Sequence, residues 1–219
     1  GGYPEVVTSP GEEEEVLKEL AGSYLYKDLL SLEELRKPAI LERLLSALAL
    51  QLGSEVSYNE LAATVGSDNE TVGRYIELLE KTFVIFKLPA FSRNIRNEIK
   101  KGKKIYFFDN GIRNAVIGNF TGLHQRNDTG ALWENYLVSE RLKRLSYAGS
   151  AARRYFWRST TRQEIDYIEE EAGELSAFEF KWNPRKAKKK LPKTFIEEYS
   201  PHTTGIVTPE SYQDFVEHR

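Results

Sequence analysis

The sequence contains no cysteine and no methionine, and its three histidines, His124, His202 and His218, lie far apart. Without cysteine there are no disulfides, no thiolate metal sites and no thiol nucleophile. So few and so scattered histidines argue against a three-histidine zinc site and against a serine–histidine–aspartate triad. No run approaches the ~20 apolar residues that a membrane-spanning helix needs. The longest apolar helix candidate, Ile40 to Leu52, is interrupted by Glu42, Arg43, Ser46 and Gln51. Gly1 to Gly11 is polar and contains Pro4 and Pro10, unlike a secretory signal, so no membrane association and a cytoplasmic location are expected. The abrupt start on Gly1-Gly-Tyr-Pro-Glu5, with no initiating methionine, leads us to expect a piece of a longer protein.

What is present is an ordinary globular composition: 219 residues, 40% hydrophobic and 29% charged, enough for one or two domains and inconsistent with wholesale disorder. The net charge of −2 conceals an asymmetry. Residues 1–80 carry 6 basic and 16 acidic side chains, residues 81–193 carry 24 and 12, and residues 194–219 carry 1 and 5. A basic middle between acidic ends suggests an anionic partner such as nucleic acid, or else surface patches that neutralise one another.

Along the chain, apolar spacings of three and four predict a helix over Glu12 to Leu35, bent near Gly22-Ser23. Pro38 opens a second helix that Gly53 stops, and the capping box Ser57-Tyr-Asn-Glu60 opens a third. A further helix begins at Ser67 and carries Val72, Tyr75, Ile76, Leu78 and Leu79. An extended apolar run, Phe83 to Leu88, follows. Three helices, a strand and a basic hairpin are the order of a winged helix, with a helix-turn-helix at Tyr58 to Lys81. The recognition-helix position carries Glu70, Glu77 and Glu80 against Arg74 and Lys81, which favours packing against protein over insertion among phosphates. The basic loop beyond it (Arg93, Arg96, Lys100, Lys101, Lys103, Lys104) is either a phosphate-touching wing or a solvated turn.

From Lys104 the pattern becomes mixed. We expect a strand at Ile105 to Phe108, a helical turn from Ile112, a loop from Thr121 to Gly130 and a helix from Ala131 to Tyr147. Strands follow at Arg154 to Arg158, Glu164 to Glu169 and Leu175 to Trp182, then a basic linker Pro184 to Lys190, a short helix at Phe195 to Tyr199, a strand at Gly205 to Thr208 and a terminal helix at Glu210 to His218. Arg158 and Arg162, flanking a Ser159-Thr-Thr161 turn, and Lys188, Lys189 and Lys190 are further candidates for phosphate contact. Trp133, Trp157 and Trp182 read as core.

The chemistry-bearing residues lie between Glu134 and Lys181. Alternation sets Phe178, Phe180 and Trp182 on one strand face and Glu179 and Lys181 on the other. Asp166, between Ile165 and Tyr167, points away from that apolar pair. A hairpin across Glu170 to Glu174 brings Asp166 beside Glu179, where two carboxylates repel unless a cation joins them; a Mg²⁺ ion suits that place, with Lys181 near a bound water or phosphate. Glu134 sits on the stripe of its helix that faces the sheet, unfavourable without a partner. The competing reading is a cross-strand ion-pair network, with Glu134 paired to Arg141 or answering the helix dipole.

At these residues the chain resembles the PD-(D/E)XK nuclease superfamily: a helical Glu134 in Gly130-Ala-Leu-Trp-Glu-Asn135, Asp166 in Gln163-Glu-Ile-Asp-Tyr167, and Glu179-Phe-Lys181, with Ile165 where a proline often stands. With Gly1-Gly-Tyr-Pro-Glu5, the Tyr26-Lys-Asp28 segment and Phe107-Phe-Asp-Asn-Gly111 in the same order, nearly the whole chain resembles the C-terminal region of a family of bacterial and archaeal AAA+ ATPases. The resemblance implies an α+β or α/β chain: a helical linker over residues 1–36, a winged helix over 37–103 and a restriction-endonuclease-like mixed-sheet domain over 104–219. It implies that ATP belongs to an N-terminal part absent here, since this chain has no Gly-x-x-x-x-Gly-Lys-[Ser/Thr] loop. It also implies a set of Asp166, Glu179 and Glu134 for Mg²⁺, with Lys181 as the catalytic lysine. Two functions follow. One is a regulatory module that binds nucleic acid or a protein partner; the alternative is a Mg²⁺-dependent DNA phosphodiesterase.

Overall fold

The computed structural model describes residues 2–24, 37–93, 102–186 and 190–217. It is mixed α+β, as the sequence pattern predicts: a helical N-terminal part, then sheets of three and four strands. Among the described residues no helix is long and apolar enough to cross a membrane. Two compact units interleave in sequence, residues 1–87 with 105–126, and residues 88–104 with 127–219.

The first unit begins with a single helical turn, α1 (Pro4–Val7), which the sequence pattern does not announce. Helix α2 (Glu13–Glu19) runs into a π-helical turn at Leu20–Tyr24, where Gly22 relaxes the winding. The rest of the expected helix, including Tyr26-Lys-Asp28, lies outside the described residues. Helix α3 (Pro38–Leu50) buries Leu41, Leu44, Leu45 and Leu48 along one stripe. A two-residue strand, β1 (Glu55–Val56), precedes α4 (Tyr58–Val65), whose cap Ser57 accepts from the Glu60 N–H and whose end turns through Gly66 at φ +69°. Helix α5 (Asn69–Lys81) starts at Asp68 rather than at Ser67; the Asp68 carboxylate accepts from both the backbone N–H and the hydroxyl of Thr71, which a serine hydroxyl could not match.

Strands β2 (Ile85–Pro89) and β3 (Lys103–Phe107) pair with β1 in the order β1-β3-β2. Asp109 caps α6 (Asn110–Val116), accepting from the Ile112 N–H at 3.0 Å, and also accepts from the Gly2 N–H at 2.6 Å. Arg113, buried on α6, donates to the carbonyl of Ala49 at 2.9 Å and so caps the end of α3.

In the second unit, α7 (Thr129–Tyr147) packs beside a four-stranded sheet of β4 (Arg153–Arg158), β5 (Glu164–Glu171), β6 (Glu174–Phe180) and β7 (Thr203–Val207), in that order. The first three strands are antiparallel and β7 runs parallel to β6. The connection to β7 carries α8 (Lys193–Tyr199), and α9 (Tyr212–Glu217) follows it. Phe195 and Tyr199 of α8 join Phe91, Tyr155, Trp157, Ile165, Ile168, Leu175 and Ala177 in one apolar cluster. Phe215 of α9 meets the rings of Tyr167, Phe178 and Phe180. Gly205 lies against Phe178, where an added Cβ would sit 3.0 Å from the ring, so a larger residue there requires the ring to give by a few tenths of an ångström. Trp133 and Trp157 are buried as expected, whereas Trp182 is 36% exposed, two residues beyond the last paired residue, Phe180.

Helix α7 is fastened to the sheet by a buried fork. Arg141 Nε and Nη2 donate to Glu169 Oε1 and Oε2 at 2.6 and 2.8 Å, and Nη1 donates to the Phe215 carbonyl at 2.9 Å. This corrects the expected pairing of Arg141 with Glu134: Glu169 lies on the strand that α7 faces and satisfies the guanidinium bidentately. We predict that Arg141→Leu, which strands the Glu169 charge, destabilises the protein by about 3–5 kcal/mol. Arg141→Met with Glu169→Leu should cost much less, as read by urea denaturation.

Candidate functional site

Residues of α7, β5, the end of β6 and the segment ending at Lys104, all in the second unit, meet beside the sheet. Tyr167 pairs with Phe178, and continuing that register by one residue sets Asp166 across from Glu179. The expected hairpin neighbours are therefore neighbours. Asp166 Oδ2 accepts from the Phe180 N–H at 2.7 Å. Lys181 Nζ lies 2.9 Å from Glu179 Oε1 and 3.8 Å from Asp166 Oδ2.

The pairing of β4 with β5 carries a register shift beside Asp166. Tyr155 pairs with Ile168 but Trp157 with Ile165, so two residues of β5, Asp166 and Tyr167, oppose Phe156 alone. This β-bulge breaks strict alternation. Ile165 and Ile168 fall in the same apolar cluster, while Tyr167 turns to Phe180 and Phe215. The expectation that Ile165 and Tyr167 share a face is thus corrected, and the cause is the extra residue.

The centre of the site is a residue expected elsewhere. Lys104, grouped by sequence with the phosphate-touching lysines, is only 3% exposed. Its Nζ lies 2.9 Å from Glu134 Oε1 and 2.5 Å from Glu164 Oε1, and sits over the Phe156 ring at 5.4 Å. Arg158 Nε approaches the other oxygen of Glu164 at 3.9 Å. Glu134 thus meets Lys104. Neither Lys104 nor Glu164 is singled out by the acidic pattern. The available signal was period-two placement: Lys104 shares a strand face with fully buried Tyr106, as Glu164 would with Asp166.

The electrostatics follow from burial among charges. Burial works against the Lys104 ammonium, but Glu134 and Glu164, joined by Asp166, hold its pKa well above the usual lysine range. Burial likewise opposes the Lys181 charge and is outweighed by Asp166 and Glu179, so its pKa is raised. The Asp166 carboxyl is pushed up to about 6, by burial first and then by the Glu134 charge; Lys104, Lys181 and the Phe180 N–H pull it down without reversing this. Among the described residues no group of three or more histidine, aspartate or glutamate side chains is placed to hold a metal ion. The carboxylates are instead engaged by ammonium groups.

Of the other basic candidates, Arg93 donates to the Tyr199 carbonyl at 3.3 Å and stacks over that ring, and Lys103 is half-buried. Arg162 is exposed in the β4–β5 turn at φ +61°, and Lys190 is exposed. Arg96, Lys188 and Lys189 lie outside the described residues. Trp133 and Trp182, next in sequence to Glu134 and Lys181, meet edge to face at 5.5 Å, with Tyr136 and Tyr212 against Trp133.

These features define a mixed α+β protein whose second unit holds an acid–lysine pocket against a bulged strand. The chain belongs to the family of the domain of unknown function DUF8612, whose model matches residues 1–123, and residues 129–217 match the domain of unknown function DUF4143. An uncharacterized protein of Haemophilus influenzae is 26% identical over 181 residues, covering 80% of this chain and 42% of the relative. Uncharacterized proteins of Mycobacterium bovis and Mycobacterium tuberculosis are each 27% identical over 161 residues, covering 73% of this chain and 36% of the relative. The chain thus spans less than half the length of these relatives. No solved structure matches it.

The raised Asp166 pKa has a signed consequence. The folded protein holds this proton up to about pH 6, while the unfolded chain releases it near the ordinary value of 3.8. The ionised carboxylate therefore costs stability above pH 6; the cost shrinks as pH falls from 6 towards 4 and is absent below. Asp166→Asn keeps an acceptor for the Phe180 N–H. We predict that it stabilises the protein by on the order of 2 kcal/mol at pH 7.5 and by nothing at pH 4, as read by denaturation across pH.

Proposed function

We propose that this chain is the regulatory, partner-binding region of a longer ATPase-linked protein, built on a winged-helix-like first unit and a restriction-endonuclease-like second unit that binds rather than cuts. The observation that carries the reading is the pocket itself. Glu134 and Glu164 share the Lys104 ammonium, and Asp166 and Glu179 share that of Lys181, so the carboxylates are held in an ion-pair lattice. The link to an ATPase rests on the DUF4143 match, a domain often associated with AAA-type ATPases, and on relatives more than twice as long as the matched region. ATP would bind in that further part.

The partner is nucleic acid or protein, and salt separates them. We predict DNA affinity that falls steeply between about 50 and 200 mM salt and drops further when Lys188, Lys189 and Lys190 are changed to alanine, as read by fluorescence anisotropy. Affinity flat in salt would remove nucleic acid and leave a protein partner.

A second reading, a Mg²⁺-dependent DNA phosphodiesterase, is favoured by the register that sets Asp166, Glu179 and Lys181 side by side. Asp166 and Glu179 offer the hard oxygens Mg²⁺ takes, and their fit is limited by the ammonium already between them. On this reading the parent cuts DNA with Mg²⁺ or Mn²⁺, and Asp166→Ala and Lys181→Ala abolish cutting. On the binding reading the parent leaves DNA intact under the same conditions.

A further inference from the structure

The observations lead furthest at Lys104. It lies outside the helix–strand–strand series Glu134, Asp166, Glu179-Phe-Lys181 that the sequence picks out, and it reaches the pocket from the segment 88–104, which precedes α7 yet belongs to the second unit. A buried lysine is a costly choice unless its charge answers something. Here it answers two carboxylates that converge on one point, 2.9 and 2.5 Å from Nζ, with an aromatic face closing a third side. Two carboxylate oxygens converging on one centre are also what a small divalent ion takes, drawn in to about 2.0–2.1 Å for Mg²⁺ and with water completing its shell. One positively charged centre fits there, and it is already supplied by the chain.

We infer that Lys104 is the resident cation of the pocket: its ammonium occupies the place between Glu134 and Glu164 that a divalent ion would otherwise take, so the native protein excludes the ion there. This deepens the binding-not-cutting reading and rests on it for the identity of the pocket. The geometry makes Lys104 a positioning residue that keeps Glu134 and Glu164 together without metal.

The test is titration of the 219-residue chain with Mn²⁺ alone, by calorimetry and by thermal melting. Parent protein should give no saturable heat at this site and no shift in melting temperature that depends on Glu134. Lys104→Met, which keeps the apolar stem and removes the charge, should gain one Mn²⁺ site at least about tenfold tighter than anything in the parent, with a melting temperature that rises with Mn²⁺. Adding Glu134→Gln to that variant should abolish both. If Lys104→Met does not fold without metal, Lys104→Gln, which keeps hydrogen-bond donors for both carboxylates, takes its place. A folded Lys104 variant that binds Mn²⁺ no better than the parent overturns the inference. So does a parent whose melting is raised by Mn²⁺ and whose response is lost in Glu134→Gln, a result that needs no Lys104 variant. DNA cleavage by the parent that requires Asp166 would instead overturn the binding-only reading, since Asp166 and Glu179 are paired with Lys181, and would leave Lys104 to be judged by the titration.

Discussion

A single ammonium group, sealed from water between two carboxylates, sets the terms for the second unit. Moving a lysine into that interior costs several kcal/mol, recovered only if its partners are held at hydrogen-bonding distance. Those partners come from α7 and β5, 30 and 60 residues along the chain from Lys104. Lys104, the long helix and the four-stranded sheet, all of the second unit, are therefore bound to one point in space. Any rearrangement separating them leaves a bare charge of one sign or the other, so the pocket tolerates little slack.

The rest of the unit repeats that logic with a different pair. Arg141 spans from α7 to Glu169 on β5 and to the last helix through the Phe215 carbonyl. Helix α7 is thus pinned to β5 twice, by Glu134 through a shared lysine and by Arg141 directly. Between these attachments lies the bulge that sends Ile165 and Ile168 to one apolar layer and Tyr167 to the rings around Phe215.

Much of this was legible in the residues. Helical spacing, the Ser57 capping box and the alternation of β6 led to the right elements, and the hairpin argument correctly set Asp166 beside Glu179. Those signals are local, decided by periods of 3.6 and 2 and by cap chemistry. What escaped was non-local or depended on one extra residue. The bulge has no glycine to mark it, so strict alternation put Ile165 and Tyr167 together. Lys104 sits in a run of basic residues whose neighbours suggest solvent, and only its alternation with Tyr106 hints otherwise. Arg141 is offered by the sequence only as one partner for Glu134 on its own helix, because a strand partner is invisible until the sheet is assembled.

The interleaving of the two units has a bearing on how this protein can be cut. A fragment that starts at the helix and follows the match at residues 129–217 omits residues 88–104, and with them both Phe91 of the apolar cluster and the lysine of the pocket. Such a piece would expose a hydrophobic hole on one side of its sheet and bring Glu134 and Glu164 together without the ammonium they share, leaving Arg158 at 3.9 Å from Glu164. The excisable body is discontinuous, so shuffling this region between proteins succeeds only when the upstream strand travels with it.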